Sequence, residues 1–74
     1  MQLTEKDIRA RRSSKLLRAT TERKFSESTV EKIGAVLRPT RDDPIQHDRM
    51  VIKILDIVEN SSTEEEVLEK LKTL

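Results

Sequence analysis

Cysteine is missing from the 74-residue sequence, and with it go disulfides and every zinc site built on thiolates. Tyrosine and tryptophan are missing too. Phe25 is the one aromatic, so the stacking platforms that hold single strands and flipped bases have no further candidates. Gly34 is the sole glycine, which excludes a glycine-rich phosphate loop, and Pro39 and Pro44 are the only prolines. Alternating runs rich in aromatic and β-branched residues do not occur, so a sheet has little to build on. No apolar run reaches the length of a leader or a bilayer span, so no membrane partner is expected, and a cytoplasmic, reducing setting suits a chain without thiols.

Catalytic material is equally scarce. His47 is the only imidazole and has no serine or cysteine partner that the sequence nominates. A metal would need a second ligand three or four residues away, and the residue four on is apolar Val51. His47 reads as a partly buried structural histidine, with a pH-sensitive contact or a catalytic base as the lesser alternatives. Glu64, Glu65 and Glu66 stand where a helix start favours negative charge, which explains them without paired-carboxylate chemistry. The expectation is a non-enzyme with no cofactor and no metal.

What the sequence has in quantity is charge, unevenly placed. Residues 1–41 hold 11 Lys/Arg against 5 Asp/Glu, a balance of +6, whereas residues 42–74 hold 4 against 9, a balance of −5. Such asymmetry points to an interaction role for one half.

Helix punctuation supplies the architecture. Asp43-Pro44-Ile45-Gln46 combines a capping aspartate, a proline suited to the first helical position and a glutamine placed to complete a capping box, so a central helix is expected over about 44–59. Ser62-Thr63-Glu64-Glu65 repeats the pattern and opens a last helix to the C-terminus. Upstream, Ser26 or Ser28 caps a helix that Pro39 stops near Leu37, and Phe25 can staple onto Val30 if Ser26 is the cap. Thr4, with Asp7 three residues on, opens a first helix to about Thr20. The fold class is therefore all-α, a small single-domain bundle of three to four short helices. Residues 1–24 form a basic N-terminal helix or arm, and 26–74 form the helical core.

Met50, Val51, Ile54, Leu55, Ile57 and Val58 make a broad apolar arc on the central helix, with Ile45 and Ile52 as a second patch. Val30, Ile33, Val36 and Leu37 give the second helix one stripe, and Val67, Leu68, Leu71 and Leu74 give the last helix another. Phe25 reads as a staple or core anchor, and Met50 as core filler. Gly34 allows a close helix contact or is a tolerated cost of about 1 kcal/mol.

The first helix differs, because Ile8, Leu16 and Ala19 fall nearly opposite Leu3, Ala10 and Leu17. Its candidate partner-binding residues are Arg9, Arg11, Arg12, Lys15, Leu16, Leu17, Arg18, Arg23 and Lys24, with Arg11, Lys15 and Arg18 aligned along one flank. Two readings of that stripe stay open: a contact with anionic groups, or a solvated face complementing the acidic half of the same chain. A helix-turn-helix fits poorly, since Arg38 to Asp43 is long for its tight turn. The resulting expectation is a helical protein–protein interaction module, a small regulator or adaptor with self-association as an option. The alternative is a nucleic-acid-associated protein that tracks phosphates with its basic helix.

Overall fold

The computed structural model describes residues 3–74. Met1 and Gln2, the start of the expected N-terminal segment, lie outside the described residues. The described chain is four α-helices and a short 3-10 helix, with no strand among the described residues.

Each α-helix begins on a side-chain cap. Helix α1 spans Glu5–Glu22. Thr4 Oγ1 accepts the Asp7 amide at 3.2 Å while Asp7 Oδ2 accepts the Thr4 amide at 3.4 Å, a reciprocal box. Its far end outruns the expected Thr20 by two residues and closes in a left-handed turn, with Lys24 at φ 54. There the Lys24 amide donates to the Thr21 carbonyl and the Phe25 amide to the Thr20 carbonyl, satisfying two of the orphan acceptors at the helix end.

Helix α2 spans Glu27–Leu37 and starts from Ser26, which settles the choice between the two serines. It stops where Pro39 requires, and the chain continues as the 3-10 helix Arg38–Thr40. Helix α3, Pro44–Glu59, matches the expected central helix. Asp43 accepts the Ile45 and Gln46 amides at 3.1 and 3.2 Å. Gln46 does not complete a capping box, because the Asp43 amide already donates to the Thr40 carbonyl at 3.0 Å. Helix α4, Glu64–Leu71, is capped by Thr63, which accepts the Glu66 amide at 3.2 Å. It ends three residues short of the expected C-terminal limit, in turns that tie Thr73 to Lys70 and Leu74 to Leu71.

Helix α3 is the spine. Val51, Ile54, Leu55 and Val58 are buried, with Leu16 of α1, Ile33 of α2 and Val67 and Leu71 of α4 packed around them. Ile57 is half-buried, as is Phe25, and both pack against this core. The second apolar patch is left uncovered, with Ile45 60% and Ile52 44% exposed. Helices α2 and α4 pack on α3 and on each other, whereas α1 packs chiefly on α3 and scarcely meets α2.

Polar ties fix the directions of these helices. Arg12 meets Asp48 near the start of α3 and Arg23 meets Val58 and Ser61 near its end, so α1 and α3 run the same way. Glu64 accepts the Ser26 amide at 2.6 Å, which places the starts of α2 and α4 together at the opposite end from the start of α3. In this structure Glu5–Glu22 is helical and packs on α3.

Candidate functional site

The nine residues marked in the sequence separate into three groups once α1 is docked. Leu16 is 4% exposed and belongs to the core. Arg12 is committed to Asp48, with Nε donating to Oδ1 at 2.8 Å and Nη2 to Oδ2 at 2.5 Å. Hydrogen bonding to Arg12 holds the Asp48 carboxyl below its ordinary range, against the opposing effect of burial, and raises the guanidinium in turn. Arg23 donates to the carbonyls of Val58 and Ser61, the latter at 2.7 Å, and lies 5.7 Å from the Phe25 ring centroid. It caps α3 from outside, supplying the cation that a helix C-terminus favours.

The second group faces outward. Arg11, Lys15 and Arg18 are exposed along the flank away from Leu16, as their spacing predicts. Lys15 pairs with Glu59 at 3.4 Å, both side chains being more than half exposed, and such a pair contributes about 0–1 kcal/mol. Arg11, Arg18 and Lys24 have no ion pair among the described residues.

Leu17 and Arg9 form the third group, and they border a groove. Because α1 and α2 diverge from their shared turn, a cleft of about 290 Å³ opens between them. Leu16, Leu17 and Thr20 face Val30, Ile33 and Leu37 across it, with Ser13 and Gly34 farther along. Leu17 is 66% exposed on the rim. A Cβ built on Gly34 would meet no atom within 4 Å, so close helix packing does not explain this glycine. Its missing side chain widens the groove.

The groove does not end at Gly34. Ser13 also lines a second cleft with Lys6, Arg9 and Ala10, while Gly34 and Leu37 line a third with Arg38 and Arg41; Pro44 and His47 wall both. The apolar groove therefore opens into a mouth ringed by four cations and one half-buried imidazole. No carboxylate lines either cleft of the mouth.

The sequence reading missed Asp48, Lys6, Arg38 and Arg41. Asp48 carries a signal in hindsight: three residues before Val51 and seven before Leu55, it stands on the buried arc, where a carboxylate requires a partner. Arg38 and Arg41 carry none, because only the fold sets the 3-10 helix against α2 and α3, where both arginines line a cleft walled by Pro44 and His47. Among the described residues no cluster of His, Asp and Glu is placed to hold a metal, and no helix is long and apolar enough to cross a membrane. Comparison with known protein families, with characterised proteins and with solved structures finds no match to this chain.

Proposed function

We propose that this protein is a non-catalytic helical interaction module that receives an amphipathic helix of another protein between α1 and α2. The observation that carries the reading is the groove itself, apolar along its length and cationic at one end. An amphipathic helix docks by setting its apolar face into such a trough, and charge at its end fixes the direction in which it lies. The occupant that complements this groove presents leucine-like side chains to Leu17, Val30, Ile33 and Leu37 and an anionic end to Lys6, Arg9, Arg38 and Arg41. Gly34 supports the reading, since a glycine inside a helix costs about 1 kcal/mol and none of the described residues comes within 4 Å of the Cβ position it leaves empty. A small adaptor or regulator of this kind needs no cofactor, and a cytoplasmic setting is consistent with a chain free of thiols.

The test uses two designed peptides with leucines at positions i, i+3, i+4 and i+7, one ending in glutamates and the other in lysines. The acidic peptide is expected to bind saturably, with methyl shifts at Leu17, Val30 and Leu37. Leu17→Asp, at an exposed rim position, should abolish binding while leaving the fold intact. Failure of both peptides to bind, or equal binding by both, would refute the groove reading.

A second reading rests on the outward flank of Arg11, Lys15 and Arg18, whose cations face solvent and suit the phosphates of duplex DNA. It predicts steep weakening with salt and loss of binding in the triple Gln variant at those positions. Sedimentation of the free chain addresses a homodimer, in which a second copy would fill the groove and Leu17→Asp would dissociate it.

A further inference from the structure

We infer that the mouth of the groove is a binding site for a phosphate monoester, carried as a phosphorylated side chain at the end of the docked helix. Three observations converge on it. Lys6 and Arg9 from α1 line one cleft and Arg38 and Arg41 from the 3-10 turn line the adjoining one, with Pro44 and His47 as the wall common to both. No acidic side chain lines either cleft. Among nearby carboxylates, Asp43 holds the Ile45 and Gln46 amides, Asp48 holds Arg12, Glu5 stands 3.9 Å from Arg9, and exposed Asp42 lines neither cleft.

Four basic side chains, of which only Arg9 has a carboxylate within 4 Å among the described residues, suit a ligand carrying two negative charges on one group. A phosphorylated side chain brings about −1.5 to −2 charge at pH 7 and three acceptor oxygens, and arginine binds such oxygens in pairs. His47 adds an imidazole, a fifth hydrogen-bonding group, at the wall common to both clefts.

The arrangement favours a single phosphate on a protein over the backbone of a nucleic acid. Duplex backbone presents phosphates in series and draws on a track of cations, whereas these four flank one shared wall made by Pro44 and His47. The mouth is also continuous with an apolar groove, through Ser13, Gly34 and Leu37, for which a polyphosphate strand has no use.

The identity of the carrier rests on the groove reading above; the anion site does not. The full chain is titrated with inorganic phosphate and with phosphoserine at constant ionic strength, followed by amide and guanidinium shifts. Saturable shifts centred on Arg9, Arg38, Arg41 and His47 are expected, and Arg38→Gln with Arg41→Gln should weaken phosphoserine binding at least about tenfold. Arg11→Gln with Arg18→Gln should leave it unchanged. Leu17→Asp should retain phosphoserine binding while losing the leucine peptide, so the groove and its mouth fail or survive separately. Shifts that do not saturate, equal losses in the two Arg pairs, or displacement of phosphoserine by duplex DNA at equal phosphate concentration would each overturn the inference.

Discussion

Asp48 is the residue whose environment departs furthest from its type. Aspartate is rarely buried without a partner, and here the bidentate guanidinium of Arg12 supplies one. Because the folded-state pKa is depressed, the pair's contribution is present above the ordinary carboxylate pKa and is lost as pH falls below about 4. Glu64, lowered by hydrogen bonds from Thr29 and Ser26, titrates in the same sense. Asp48→Asn should therefore be less stable than the parent at pH 7 in urea denaturation, with the gap narrowing towards pH 3. A gap that persists in acid would mean that shape, and not charge, holds the contact. Lys24 offers the opposite experiment. It occupies a left-handed position that glycine adopts freely, so Lys24→Gly should stabilise the fold by about 1 kcal/mol, read as a higher urea midpoint at unchanged slope.

At the scale of the helices, the readable signals were local ones. Thr4, Ser26, Asp43 and Thr63 cap within three residues of themselves, and all four starts follow from that chemistry. The seat of α1 did not follow, because Leu16 is its only fully buried apolar side chain and the further ties come from Arg12 and Arg23 reaching residues 35 to 38 positions away. Periodicity records apolar faces; it is silent about a cation that docks by hydrogen bonds. The groove was half legible for the same reason. Leu17 stood out as an apolar residue on the side nearly opposite Leu16, but the bank opposite it comes from α2 and the mouth from a turn. Gly34 tests whether that space is used. Gly34→Ala should raise stability by about 0.5–1 kcal/mol in urea denaturation. It should also weaken binding of the acidic peptide, since the new methyl projects into the groove wall. A gain in stability with unchanged binding would remove glycine from the account of the site.

At the scale of the whole molecule, the core is small and concentrated on one helix. Four of its eight fully apolar members belong to α3, and Ile54 has no exposed surface at all. Truncating such a side chain costs about 2–5 kcal/mol, against a total stability of about 5–15 kcal/mol for domains in general. A domain of this length lies towards the lower part of that range. Ile54→Ala should thus populate unfolded chain at 37 °C, visible as a lowered and broadened thermal transition by circular dichroism. A shift of only a degree or two would show that the neighbouring helices collapse onto the gap.

Both banks of the groove are moored to α3 and hardly to each other. Its breadth is therefore inherited from the girth of the spine, from side chains that no visitor touches. Selection for a bulkier or slimmer guest could act on the interior of this protein while leaving the lining itself unaltered.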